Sequence, residues 1–140
     1  DEVVLVSPYV GPCLLILLLL RRRLDVLGVG DEEAGSLGVD VRLVRLTAVL
    51  AASLGTAAVV AVSGLIGFVG IIVPHTIRLI FGFSYRVILP LTVLFGGAFL
   101  VGADLVARLT LEPAEIPIGV VTAFLGAPFF VIVLRTSRRL

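Results

Sequence analysis

The sequence has 140 residues, of which 59% are hydrophobic, and its ten acidic and eleven basic side chains leave a formal net charge of +1. The mean hydropathy of +1.23 is well above that of a soluble domain, and Lys, Asn, Gln, Trp and Met are absent. This composition excludes a soluble globular domain and indicates a membrane protein, while the single Cys13 excludes an internal disulfide. Because Met is absent, we expect a fragment of a longer protein.

The first predicted membrane span is residues 3–20, which carry no charge and are close to the shortest length that crosses a hydrocarbon core of about 30 Å. Pro8 and Pro12 predict either a kink or an irregular stretch before the helix. Arg21–Arg23 are expected to end the span abruptly. Acidic residues before the span and arginines after it are the reverse of a signal peptide.

Residues 24–41 form the one long polar connection, and they predict a helix of about two turns. Asp31 is the predicted N-cap, two glutamates follow in the first turn, and Gly38 is the predicted stop. Local sequence leaves two interpretations open, a solvated loop and a short docking helix. Asp40 is predicted to cap the next span.

Four further spans are predicted in the rest of the chain. Residues 46–77 contain no acidic residue, Lys or Arg, which is too long a run for one crossing, so Ser63 and Gly64 are the predicted turn. The spans are predicted at residues 41–62, 65–81, 87–109 and 116–134.

The stretch 63–82 combines three glycines at a spacing of three with a proline and a histidine. Glycines on one ridge of a helix let neighbouring helices approach closely inside a bilayer. We therefore expect this stretch to be the tightly packed centre of the membrane domain. The residues concerned are Gly64, Gly67, Gly70, Pro74 and His75.

The distribution of arginine predicts the orientation of the chain. With five spans, all the arginines except Arg108 fall on one side of the membrane. Since positive residues concentrate in the cytoplasm, this predicts an outside N-terminus and a cytoplasmic C-terminus.

Two side chains within the predicted spans are of types that can bind a metal or transfer a proton. His75 has no metal-ligand partner in sequence, and it is predicted to hydrogen-bond a carbonyl that Pro74 frees. Asp104 is expected near the outer interface, where it can pair with Arg108 at i+4; a proton relay is the alternative. No nucleophile–base pair or phosphate-binding loop is present, so we expect no catalytic residue, metal or cofactor.

The last span carries small side chains at positions 119, 123 and 127, namely Gly119, Ala123 and Ala127. This spacing places them on one helical face where another helix can come close. The neighbour is either a second subunit or a helix of the same subunit, and the sequence leaves both open.

Three blocks of sequence resemble the permease subunit of FecCD-type ABC importers for iron-siderophores, haem and vitamin B12. The blocks are SGLIGFVGIIVPHTIRLIFG at 63–82, ADLVAR at 103–108 and EIPIGVVTAFLGAPFF at 115–130. GDEEAGSLGV at 30–39 resembles the coupling segment of that family. A full permease of this family has ten spans, and the chain resembles its last five.

The resemblance implies an all-α polytopic membrane protein with about five transmembrane helices and a short cytoplasmic coupling helix, in a single domain of residues 1–140. It also implies a bacterial cytoplasmic membrane location, a cytoplasmic ABC ATPase, a periplasmic or lipid-anchored binding protein, and a second permease subunit, identical or related. Arg108 would pair with a glutamate of the binding protein, and the last helix would face the pathway near the dimer axis. The coupling residues would be Asp31, Glu32, Glu33, Ala34, Leu37 and Gly38.

The expected function is therefore a transport subunit without enzymatic activity of its own, in contact with membrane lipid and not with nucleic acid. The alternative is a non-transporting truncated fragment, or a half-subunit that needs a separate N-terminal half. A third hypothesis is an intramembrane enzyme that uses His75 and Asp104. The identity of the chelate is not predicted.

Overall fold

The computed structural model describes residues 1–110, 113–114 and 116–137. These residues form α-helices and no strand, because long apolar runs in lipid must satisfy their backbone hydrogen bonds within the segment. The helices are α1 (Glu2–Leu27), α2 (Asp31–Ser36), α3 (Val41–Ser63), α4 (Val69–Phe81), α5 (Tyr85–Thr110) and α6 (Ile118–Ser137).

Four of these helices, α1, α3, α5 and α6, are long and apolar enough to cross a membrane. The fifth apolar helix, α4, has 13 residues, fewer than the roughly 20 that a helical crossing needs. The predicted all-α, multi-pass membrane architecture is confirmed.

The chain divides into two compact units, of which the first is residues 1–64 and 83–90. The second comprises residues 65–82 and the described residues after position 90, so α5 begins in the first unit and continues in the second. The single-domain assignment of residues 1–140 stays a prediction.

Close packing of α1 against α3 organises the first unit. A Cβ atom placed on Gly55 would lie 3.3 Å from Cys13 Cβ, and Cys13, Val44 and Ala51 are buried. Small residues at this contact let the two helices approach closely, as is usual within membranes. Cys13 thus acts as a small buried apolar side chain.

Helix α1 differs from its prediction at both ends. It is helical from Glu2 and continues through Pro8 and Pro12, so an irregular stretch before the helix is wrong. It also extends past Arg21–Arg23 to Leu27, because charged residues can continue a helix after it leaves the apolar layer. The predicted linker 24–41 therefore begins inside α1.

The glycine ridge predicted for residues 63–82 is not present on a single helix. Gly64 ends α3 with φ of 76°, Gly67 lies in the non-helical segment before α4, and Gly70 lies in the first turn of α4. The predicted span 65–81 is thus a non-helical stretch of four residues followed by a short helix. Phe68 precedes α4 in the left-handed region, with φ of 66°.

The second unit is held together by α6 packing on the segment that precedes α4. The Gly119 Cα faces the Leu65 carbonyl oxygen, and Gly126 lies against the Phe68 side chain so closely that a methyl group at either glycine would overlap its neighbour. Thr122, between them on the same face, is fully buried and donates to the Gly119 carbonyl. Non-helical backbone at membrane depth is tolerated where protein covers it, which is what this helix face provides.

Candidate functional site

The short helix α2 is present where the sequence predicts it, with its start shifted by one residue. Gly30 with φ of 121° is the N-cap, and the helix runs over Asp31–Ser36. Asp31 as N-cap is therefore wrong. Its carboxylate turns towards α3 instead, and a glycine can adopt the positive φ that this helix start requires.

The end of α2 forms a closed turn at Gly38. The Val39 N–H donates to the Ala34 carbonyl at 3.2 Å, and the Gly38 N–H donates to the Gly35 carbonyl at 3.0 Å. Gly38 has φ of 82°, so this is a Schellman motif with glycine in its left-handed position. The predicted stop at Gly38 follows from this geometry, although Leu37 lies outside the helix as its C-cap.

An ion pair joins α2 to the first turns of α3. Arg45 Nη2 lies 2.8 Å from Asp31 Oδ1, and Arg45 Nη1 donates to Asp31 Oδ2 at 3.2 Å. A two-pronged guanidinium–carboxylate contact fixes orientation as well as distance. Asp40 Oδ1 accepts from the Leu43 N–H at 3.1 Å, which is the predicted cap of α3.

These contacts leave one face of α2 free. Ala34 is fully buried, whereas Glu32, Glu33 and Leu37 are exposed, with 68% of Leu37 accessible to solvent. The free face of this short helix thus presents two carboxylates and an exposed leucine. The assignment of these residues to coupling stays a prediction.

Asp25, near the end of α1, is a structural residue that the sequence analysis missed. Its carboxylate accepts from the Ser84 hydroxyl at 2.9 Å and from the Tyr85 N–H, and it lies 3.6 Å from Arg86 Nε. The carboxylate therefore caps the start of α5 from another helix. Since its partners are about sixty positions away, local capping rules could not reveal it.

Replacing Asp25 with Ala is expected to destabilise the protein by about 1–3 kcal/mol, because the Tyr85 N–H loses its acceptor in a partly buried place. Asp25→Asn keeps an oxygen acceptor and should be milder. Thermal unfolding in detergent, monitored by size-exclusion chromatography, measures the stability of both variants. Equal stability of Asp25→Ala and the wild type would show that the cap is not needed.

At the other end of α5, Asp104 and Arg108 form the predicted i+4 pair, with Arg108 Nε 2.9 Å from Asp104 Oδ2. Both side chains are substantially exposed, and they border a cavity of about 290 Å³ together with residues 116–118. The structure thus contains the predicted ion pair between Asp104 and Arg108. Docking of a partner at Arg108 stays a prediction, and Glu112 and Glu115 of the adjoining link lie outside the described residues.

His75 does not make its predicted hydrogen bond. Within the described residues its side chain has no hydrogen-bond partner, and its ring meets Phe129 of α6 edge to face, with centroids 6.1 Å apart and planes at 80°. The ring is thus occupied by aromatic packing. Pro74 lies inside α4, which continues through it. The described residues contain no cluster of three or more potential metal ligands.

The face of α6 that packs within the described residues differs from the predicted small-residue face, whose contact with a second subunit stays a prediction. Gly119, Thr122 and Gly126 form the face that contacts residues 65–68, whereas Ala123 is half-buried and Ala127 is exposed. Gly119 thus packs within its own chain. Gly126 and Thr122 were not predicted because a spacing of four from Gly119 does not include them.

Comparison with known proteins gives this arrangement a context. A model of the FecCD transport family matches residues 1–136. The cobalamin import system permease protein BtuC of Halobacterium salinarum is 51% identical over 120 residues, which cover 86% of this chain and 32% of that protein. The hemin transport system permease protein HmuU of Yersinia pestis is 42% identical over 132 residues, which cover 94% of this chain and 40% of that protein.

A solved structure of an inward-facing transporter, described as metal-chelate type, is similar with a TM-score of 0.77 and 42% identity, over 89% of this chain and 40% of that one. The chain therefore spans between 32% and 40% of the length of these three relatives. The match of the family model over nearly all of the sequence decides the assignment, and the chain belongs to the FecCD transport family.

Proposed function

We propose that the chain is part of the membrane-spanning permease subunit of an ABC importer that carries an iron chelate, haem or a cobalamin-type substrate inward across the cytoplasmic membrane. The observation that carries this proposal is the family match over residues 1–136, with relatives named as cobalamin, hemin and Fe(3+)-citrate import permeases. ATP hydrolysis would reside on a separate chain, as would initial capture of the substrate.

We assign the exposed face of α2 to contact with the ATPase on the cytoplasmic side. Movement of the ATPase would act first on Glu32, Glu33 and Leu37, which are exposed. The Arg45–Asp31 pair joins α2 to α3, and α3 packs against α1 at Gly55 and Cys13. A displacement of α2 would therefore be passed to both long helices and not absorbed by a loose loop.

We assign the carboxyl end of α5 to the outer side and to docking of a binding protein. Arg108 is exposed to 68% and is already held by Asp104, so its position is defined before a partner arrives. A carboxylate of the partner would add a second acceptor to the guanidinium, which has donors to spare. A second permease subunit is also proposed, and the exposed Ala127 on α6 is available to such a neighbour.

Co-purification with the cognate ATPase tests the proposal as a whole. The full-length protein, solubilised in mild detergent, should retain the ATPase on an affinity column and stimulate its activity when the loaded binding protein is added. A protein that inserts into the membrane but neither retains nor stimulates the ATPase would contradict the proposed transport role.

The reversal Arg108→Glu is expected to weaken docking of the binding protein, and more strongly at low salt, because an exposed ion pair contributes about 0.2–1 kcal/mol and is screened by salt. Surface plasmon resonance on reconstituted protein measures the affinity. Arg135→Glu, the same change at the end of α6, is the control. Unchanged affinity of Arg108→Glu at low ionic strength would limit Arg108 to pairing with Asp104.

A second candidate is a half-subunit that works only with a separate N-terminal half, or a fragment that does not transport. The chain spans 32–42% of the lengths of the relatives named above. Co-expression with a segment that supplies the first five spans would restore uptake if the half-subunit proposal is right.

A further inference from the structure

A groove of about 530 Å³ lies in the first unit beside the start of α3. Arg42, Arg45, Leu46 and Val49 line it, together with Val41 and the α2 residue Asp31. Four of the five α3 residues, Arg42, Arg45, Leu46 and Val49, recur at i, i+3, i+4 and i+7, so they occupy one face of the helix. This face is charged at its beginning and apolar one to two turns later.

The length of the groove along α3 suits the headgroup and upper acyl chain of a phospholipid. At a rise of about 1.5 Å per residue, Val49 lies about 10 Å along α3 from Arg42. A headgroup phosphate at Arg42 would therefore leave its glycerol and upper acyl chain against Leu46 and Val49, which are 54% and 56% exposed. The apolar part of the groove belongs to the apolar run of α3, which is long enough to cross a membrane.

The charges around the groove favour an anionic headgroup. Asp31 also lines the groove, but both of its oxygens accept from Arg45, which neutralises it locally. Among the residues that the structure describes, Arg42 makes no ion pair. Its guanidinium is thus available for a phosphate, which it can bind through two donors.

The packing of α1 places further positive charge at the same depth. The two helices run antiparallel, since residues 2–10 of α1 border a cavity with residues 59–63 of α3, and Cys13 meets Gly55. Extending this register by ten residues brings Arg23 to the level of Arg45. Arg21–Arg23 therefore add to a cationic layer at the level of the groove, which attracts anionic lipid.

We propose that the groove formed by Arg42, Leu46 and Val49 is a binding site for one anionic phospholipid, with its phosphate on Arg42 and its upper acyl chain along α3. Neither the transport function nor the family assignment implies this site. The lipid would lie beside α2 and would keep the contact between α2 and α3 at the membrane surface.

Native mass spectrometry of the detergent-solubilised full-length protein tests the site with phosphatidylglycerol, and with phosphatidylcholine of the same acyl chains. We expect phosphatidylglycerol to be retained, phosphatidylcholine to be lost, and inorganic phosphate not to compete. Arg42→Gln should lower the affinity about fivefold, the equivalent of roughly 1 kcal/mol for one arginine at a membrane surface. Val49→Phe places a larger side chain in the apolar part of the groove and should also weaken binding.

Arg135→Gln is the matched control, because it removes the same charge from the end of another helix and should leave the affinity unchanged. Equal losses of lipid affinity for Arg42→Gln and Arg135→Gln would show that the lipid is held by diffuse electrostatic attraction. That result would overturn the proposed site. Competition by inorganic phosphate would make it an anion site without a lipid. Stoichiometric displacement of the lipid by the ATPase would assign the groove to the protein interface and would also overturn the proposal.

Discussion

The double variant Glu33→Arg, Leu37→Arg is expected to lower ATP-driven uptake by at least about tenfold, since reversing one charge and burying another at a protein interface costs several kcal/mol. Both side chains are exposed, and neither contributes to the contacts that hold α2. The protein should therefore reach the membrane in normal amounts. Uptake of labelled substrate and ATPase activity in proteoliposomes measure the effect.

The control for this variant is Glu2→Arg, an exposed acidic residue at the far end of α1 from α2. We expect its uptake to equal that of the wild type. Normal transport and normal ATPase stimulation in the double variant would remove α2 from the coupling site, while leaving the fold of the first unit as described.

Gly126→Ala is expected to destabilise the second unit by about 1–3 kcal/mol or more, because the added methyl group overlaps the Phe68 side chain and α6 would have to move away. Phe68 cannot retreat easily, since its positive φ is already an uncommon conformation for a residue with a side chain. The monodisperse fraction that remains after heating in detergent measures the loss.

Gly102→Ala is the matched control, because Gly102 lies within α5 and a Cβ atom there meets nothing within 4 Å. The same substitution should there be neutral or slightly stabilising, as alanine favours helix over glycine. If the two variants proved equally stable, the close contact between α6 and Phe68 would not exist in the membrane.

Local chemistry predicted the features that depend on neighbours in sequence. Asp40 caps α3 and Asp104 pairs with Arg108, because both contacts join residues three or four positions apart. The membrane-spanning helices followed from apolar runs, and the end of α2 followed from Gly38. The two contacting residues of each pair lie within about one helical turn, so a short stretch of sequence is enough to predict the contact.

Features that depend on distant partners could not be predicted in this way. Asp25 contacts Ser84 and Tyr85, which follow it by 59 and 60 positions, and no local pattern connects them. The glycine ridge was wrong because a spacing of three is meaningful only on a continuous helix, and α4 does not begin until Val69. The face of α6 that packs on residues 65–68 was not predicted for a related reason. The contact depends on where Phe68 lies and not only on where small residues recur.

The uptake of radiolabelled substrate into proteoliposomes tests the central claim most directly. The vesicles would contain the full-length protein, its ATPase and its loaded binding protein, with ATP enclosed on the ATPase side. The proposed function predicts accumulation that requires ATP, the binding protein and an intact α2. Accumulation that proceeds without ATP, or none at all from a correctly inserted and assembled complex, would contradict it.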